Sequence, residues 1–174
     1  LWAMDGTTFR TPDSADNRAH FVAQAYASGK VASYPQVRAV SIKAIPTHLV
    51  SDIAFGTYAQ NEMLYAKTLV GRIADHSLTV FDRGFLCAEI LLGLTQGGQE
   101  RHYLIPAKSN TKWEVLSGSA DDCLVRMRVS PQARAKAPEL PEHWTARAVR
   151  MVSANGKQRV LLTSLLDRRR FKAE

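Results

Sequence analysis

Cysteine is scarce: Cys87 and Cys123 are the only two in 174 residues, far apart and each in apolar surroundings. That spacing excludes a paired redox or zinc motif and makes reduced core residues in a cytoplasmic protein the expectation. Histidine is equally dispersed. His20, His48, His76, His102 and His143 stand singly, so no pair has the spacing of a helical metal site. No run approaches the roughly eighteen consecutive apolar residues of a membrane span, and no internal repeat is present. The chain opens inside an apolar run with neither an initiator Met nor a basic leader. No membrane partner is expected, and the chain reads as a fragment.

What is present is a 45% hydrophobic content, enough for one domain with a real core and a small appended lobe. The net charge of +7 suits a polyanionic partner and is also compatible with an ordinary basic enzyme. Its distribution is more telling. Residues 1–111 carry 10 Lys+Arg against 9 Asp+Glu, a net of +1, whereas residues 112–174 carry 13 against 7, a net of +6.

Leu1 to Phe9 reads as a strand containing Asp5, followed by turn-forming Arg10-Thr11-Pro12-Asp13. Residues 13–35 read as a surface loop with a short helix around His20 to Tyr26. Val- and Ile-rich runs from Gln36 to Ile45 and from His48 to Phe55 flank Pro46-Thr47, the pattern of an antiparallel hairpin. Asn61 to Ile73 has helical period with an N-cap at Gln60-Asn61. Ser77 to Phe81 is a buried-type strand ending at Asp82-Arg83-Gly84, Cys87 to Leu94 is helical, and His102 to Ala107 is the next strand. Three strands, helix, strand, helix, strand call for a mixed α/β sheet covered by helices.

Beyond Ser109 the pattern alternates. Strands are expected around Val125 to Val129, from Trp144 to Val152, and from Gln158 to Leu165 after the Asn155-Gly156 turn, with Pro131 to Pro141 as a link and a helix starting near Phe171. The organisation expected is a core over 1–111, a β-rich insertion over 112–165 and the start of a helix over 166–174.

Two aspartates stand out. Asp is depleted in strands and a buried charge needs a partner, so Asp5 inside the first strand invites a metal. Taken alone, Asp5-Gly6 reads more readily as a hairpin turn. Asp82 follows four strand-forming residues and places a carboxylate at a strand end, where ligands of α/β sheets gather. A turn or helix-cap role is as good a reading of Asp82 alone.

Four blocks then occur in order: Asp5-Gly-Thr-Thr, Tyr34-Pro-Gln-Val-Arg38, Phe81-Asp82-Arg-Gly-Phe85 and Leu104-Ile-Pro-Ala-Lys-Ser-Asn110. In this order they resemble the DDE transposases of bacterial insertion sequences, over essentially the whole chain. The resemblance implies a ribonuclease-H-like mixed sheet flanked by helices, with a β-rich insertion before the last catalytic helix. It implies that Asp5 and Asp82 join a later glutamate to hold two Mg²⁺ (or Mn²⁺) ions in the complete enzyme. It also implies double-stranded DNA partners, transposon ends and target, and a homodimer on paired ends. Phosphodiester transfer builds negative charge at phosphorus, and two cations about 3.5–4 Å apart stabilise the attacking and leaving oxygens together. Hard magnesium favours carboxylate oxygens.

The family's glutamate lies in a helical Tyr-x-x-Arg-x-x-x-Glu motif, and none of Tyr26, Tyr34, Tyr58, Tyr65 or Tyr103 has Arg three residues on. Glu174 lacks that context. The expectation is truncation at both ends, before the glutamate and after the N-terminal DNA-binding region, giving a fragment inactive alone. Arg126, Arg128, Arg147, Arg150, Lys157 and Arg159 in the β-rich region are candidate phosphate contacts or a solvated charged face. Arg83 and Lys108 flank the carboxylates in sequence and either steady phosphates or form ion pairs. Trp113 and Trp144 read as core before base-stacking residues. Two other functions fit the residues: a ribonuclease-H-like nuclease that joins no ends, and a non-catalytic basic module that binds nucleic acid.

Overall fold

A computed structural model describes residues 1–26, 28–153 and 156–173. Asn155 of the expected Asn155-Gly156 turn and Glu174 lie outside the described residues. The elements are β1 (Trp2–Arg10), α1 (Ala15–Phe21), β2 (Gln36–Ala44), β3 (Val50–Thr57), α2 (Glu62–Val70), β4 (Ser77–Phe81), α3 (Ala88–Gln96), β5 (Arg101–Pro106), β6 (Glu114–Gly118), β7 (Asp122–Arg128), α4 (Pro131–Lys136), β8 (His143–Val152) and β9 (Gln158–Thr163).

One sheet joins all the described strands in the order β3-β2-β1-β4-β5-β9-β8-β7-β6. β1, β2 and β3 are antiparallel neighbours, while β4 lies parallel to both β1 and β5. This is the ribonuclease-H-like mixed sheet with flanking helices that the residues and the resemblance led us to expect. β9 adds to β5 in antiparallel register, Leu104 opposite Thr163, so the strands of residues 112–165 extend the core sheet instead of forming a separate layer.

The pleat sorts the core. Met4, Val40, Ile42, Phe81, Tyr103, Ile105 and Leu162 are buried, and the strand registers place them on one face. α2 packs on β2 and β3, α3 on β5, and the two helices on each other. α2 contributes Tyr65, Ala66, Leu69 and Val70, and α3 contributes Ile90, Leu91 and Leu94, each at helical spacing. Asn61 caps α2 by accepting from the Met63 N–H at 3.0 Å. The same face continues through Val125, Ala146 and Trp144, so Trp144 is a core residue at 7% exposure.

Four local readings need correction. The first helix lies at Ala15–Phe21 and not around His20 to Tyr26, because Ser14 caps it, accepting from the Asn17 N–H at 3.2 Å, and it buries no residue that would set an apolar period. The stretch from Pro131 contains α4, started by Ser130 at the cap and Pro131 in the first turn. β6, unforeseen, is an edge strand whose residues are all exposed, so it lacks the in-out alternation that marks a half-buried strand. Near Phe171 residues 168–170 form only a turn, in which the Asp167 carboxylate accepts from the N–H groups of Arg169 and Arg170.

Two glycines distinguish packing from propensity. A Cβ on Gly56 would lie 2.5 Å from the Tyr65 hydroxyl oxygen, which is held in the core by donating to the Thr57 carbonyl at 3.1 Å. Gly56→Ala is therefore expected to destabilise by about 1–3 kcal/mol. Gly71 ends α2 in right-handed helical geometry with open space around it, so Gly71→Ala is expected to stabilise by about 0.4–1 kcal/mol. Urea unfolding of the two variants checks the opposite signs.

Candidate active site

β1 and β4 pair in parallel, with Trp2, Ala3 and Met4 opposite Thr79, Val80 and Phe81. The next step of that register sets Asp5 beside Asp82, on strands about 4.8 Å apart. Met4 and Phe81 point into the helix-covered core, so the pleat turns the two aspartates to the opposite face. Asp5 is no turn residue: it lies inside β1 opposite Ser41, with Gly6 opposite Val40. Both carboxylates are exposed, which corrects the expectation of a buried charge. That face of the strands is not the one α2 and α3 cover.

Each carboxylate is held by its own backbone. Asp5 Oδ1 accepts from the Gly6 N–H at 2.9 Å. Asp82 Oδ2 accepts from the Gly84 N–H at 3.0 Å, capping a short 3₁₀ turn over Arg83–Phe85. The cap role and a ligand role are compatible for Asp82, because a carboxylate has four lone-pair sites. No ion pair engages either aspartate among the described residues. Glu62 is close to Gly6 in space but on the other face of β1 from Asp5: a Cβ on Gly6 would lie 2.8 Å from its carboxylate, and Gly6 shares the face of Met4. No group of three His, Cys, Asp or Glu side chains able to hold a metal occurs among the described residues.

Beside Asp82 opens a cleft of about 620 Å³. Its lining includes Arg83 and Lys108 from the segments after β4 and β5, and Lys157 and Arg159 from β9 and the turn before it. The β5–β9 pairing brings these cations together. Arg83, Lys108 and Arg159 have no ion-pair partner among the described residues. The segment after β5 is shaped by reciprocal bonds: the Lys108 N–H donates to Thr111 Oγ1 at 2.9 Å and the Thr111 N–H to the Lys108 carbonyl at 3.0 Å. Trp113, half-buried, forms one wall.

The other four candidate cations are placed differently. Arg126 pairs with Glu114 at 2.7 Å, Arg128 with Glu142 at 3.8 Å and Arg150 with Asp121 at 3.2 Å. Arg147 is buried at 2% exposure. Its Nε and Nη2 donate to the two oxygens of Asp122 at 2.7 and 2.8 Å, and its Nη1 to the Phe171 and Leu165 carbonyls. That guanidinium holds the pair Asp122 below the usual carboxylate range through those hydrogen bonds. Arg147 therefore ties β8 to β7 and to the residues after β9, and it is removed from the phosphate contacts. Burial pushes the thiols of Cys87 and Cys123 up, which disfavours the nucleophilic thiolate.

No helix of the described residues is long and apolar enough to cross a membrane. A family model described as Transposase DDE domain matches residues 1–174. The chain is 38% identical over 172 residues to the transposase InsG for insertion sequence element IS4 of Escherichia coli strain K12, covering 98% of this chain and 38% of that protein. It is 33% identical over 116 residues to InsZ of the same strain, covering 67% of this chain and 39% of that one. The chain thus spans less than half the length of these relatives. Among solved structures, a piggyBac transposase synaptic complex with hairpin DNA aligns over 94% of this chain and 32% of its own, at a TM-score of 0.44 and 10% identity.

Proposed function

The chain belongs to the transposase DDE domain family, and from that premise we propose that Asp5 and Asp82 hold the divalent metal of a DNA cleavage and strand-transfer centre. The observation that supports this reading is the β1–β4 register, whose next step past Met4 and Phe81 would set Asp5 beside Asp82, and Asp82 lines a basic cleft. Hard oxygen donors with no imidazole or thiolate between them fit Mg²⁺ or Mn²⁺. Such ions, two in the complete enzyme, would activate a water or 3′-hydroxyl and offset the charge built at phosphorus. A glutamate beyond the Asp5 and Asp82 pair completes the set in this reading, so this stretch alone is inactive. Residues 112–165 then serve as the insertion that adds the far wall of the cleft.

In this proposal the chain's own residues bind and orient the substrate. Arg83, Lys108, Lys157 and Arg159 hold the phosphodiester backbone. Trp113 narrows the cleft and limits water. The partners are transposon ends and target duplex, engaged by a homodimer in the bacterial cytoplasm at the nucleoid. Transfer of a pre-cut 3′-hydroxyl into a second duplex by the whole protein separates this reading from a nuclease that only hydrolyses. The absence of such transfer under Mg²⁺, with hydrolysis retained, would contradict it.

Salt dependence tests the cleft. Lys108→Ala and Arg159→Ala are each expected to reduce the slope of log K against log salt by about 0.9, the loss of one released counterion. Arg126→Ala and Arg128→Ala, whose guanidinium groups are already paired, should leave the slope unchanged in a fluorescence anisotropy titration.

A further inference from the structure

Gly6 and Arg38 belong to two of the blocks that carry the family resemblance, yet the catalytic proposal gives neither a task. They meet on one side chain. Gly6 lies one residue past Asp5 in β1, and the pleat turns it to the helix-covered face, where Glu62 opens the first turn of α2. The Glu62 carboxylate rests flat against the bare side of Gly6: a Cβ there would lie 2.8 Å from both its Cδ and its Oε2, and 3.2 Å from its Oε1. No larger residue leaves room for that contact, and a glycine inside a strand marks such close approaches.

Arg38 approaches the same carboxylate from β2, where it stands opposite Thr8 of β1 and Gly56 of β3. Its guanidinium lies over the Tyr58 ring at 4.2 Å, and its Nη1 donates to the Gln60 carbonyl at 2.6 Å, just ahead of the Asn61 cap of α2. The aromatic face and the carbonyl hold the guanidinium in place. Its Nε is shielded from solvent with no hydrogen-bond partner among the described residues, and Glu62 Oε1 lies 3.9 Å from it. On the other side of β1, the Gly6 N–H donates to Asp5 Oδ1 at 2.9 Å. A line of contacts therefore runs from Tyr58 and Gln60 through Arg38, Glu62 and Gly6 to the Asp5 carboxylate.

We propose that Glu62 is a positioning residue for Asp5. Braced by Arg38, its carboxylate fixes the Gly6 peptide, and the Gly6 N–H fixes the Asp5 oxygen that it bonds, so Asp5 is presented to a cation in one orientation. Groups that orient a metal ligand from behind set much of the affinity of a site. Glu62 itself, on the other face of β1, does not touch the ion. The inference rests on the reading of Asp5 as a metal ligand, and it gives the glycine after that aspartate and the arginine across the sheet one shared role.

Mn²⁺ titration of the whole protein, with the free ion followed by electron paramagnetic resonance, tests this apart from activity. Glu62→Ala should weaken Mn²⁺ binding about tenfold, the lower end of what loss of a supporting group costs. Glu62→Gln, which keeps the shape of the carboxylate, should bind as the unaltered protein does. Gly6→Ala, which displaces Glu62, should weaken binding about as much as Glu62→Ala. The Gly6→Ala/Glu62→Ala double variant should lose no more than either single one, because both changes remove one contact. Melting temperatures of the Glu62 variants should stay level, since the side chain is 41% exposed and Asn61 still caps α2. Mn²⁺ affinity unmoved by Glu62→Ala, or lowered as much by Glu62→Gln, while Asp5→Asn abolishes the binding, would overturn the inference and leave the catalytic proposal standing. Mn²⁺ binding that Asp5→Asn leaves unchanged would overturn both.

Discussion

Asp82→Asn in the whole protein is expected to lower DNA cleavage and strand transfer by roughly a hundredfold or more, at least the loss seen when a residue supporting a metal ligand is removed. The substitution is nearly isosteric. Its carbonyl oxygen still accepts from the Gly84 N–H that Asp82 Oδ2 now caps, so the 3₁₀ turn and the melting temperature should be preserved. Asp5→Asn should behave alike, because Asp5 is exposed and bonds only to its neighbour's N–H in the described structure. Asp75→Asn and Asp52→Asn serve as controls. Those carboxylates are paired with Arg101 at 2.6 Å and Arg72 at 3.0 Å, and their loss should leave activity intact. Equal activity of Asp82→Asn and the unaltered protein, measured as strand-transfer product per unit time, would remove Asp82 from the centre.

The second large effect is on stability. Asp122→Ala leaves the Arg147 guanidinium, whose side chain is 3% exposed, buried without its carboxylate. Breaking one half of a buried pair typically costs about 3–5 kcal/mol, against the roughly 5–15 kcal/mol that holds a domain folded. Replacing both members with apolar residues, Asp122→Leu with Arg147→Met, should recover most of the loss. Chemical denaturation of the two variants beside the unaltered protein measures this directly. The same pair sets an acid limit. Arg147 lowers the folded-state pKa of Asp122 below its unfolded value. Its contribution is therefore present above the unfolded pKa, near 4, and is lost as pH falls through the lower folded value. In Asp122→Ala the acid-induced part of the stability loss below about pH 4 should shrink.

Much of the frame could be read along the chain. β4 is bounded by Ser77 and Phe81 because a short run of β-formers ends at a turn-forming Asp-Arg-Gly, and α2 begins at Asn61 because its amide oxygen caps the first turn. These are local signals. The charge pairs are not local: Arg126 meets Glu114, and Arg147 meets Asp122, through the pairings of β6 with β7 and β7 with β8. A single strand gives no register, so the basic residues of 112–174 looked equivalent until those acids were placed opposite them.

The carboxylate pair has the same origin. That Asp5 and Asp82 lie side by side depends on β1 pairing with β4 across more than seventy intervening residues. That both are exposed depends on which face the helices cover. The membership of Arg159 in the cleft depends on β9 joining β5. Local propensity carries none of these facts. α4 and β6 escaped notice for a simpler reason, since a six-residue helix with no fully buried residue and an exposed edge strand bury too little to leave a period.

The most direct test of the central claim is the position of Mn²⁺ in crystals of the protein, located by its anomalous scattering. A single peak within about 2.0–2.3 Å of oxygens from both Asp5 and Asp82, the range of hard-cation coordination, is the expected result. Mn²⁺ bound at another acidic group, with the Asp5 and Asp82 carboxylates pointing apart, would contradict it.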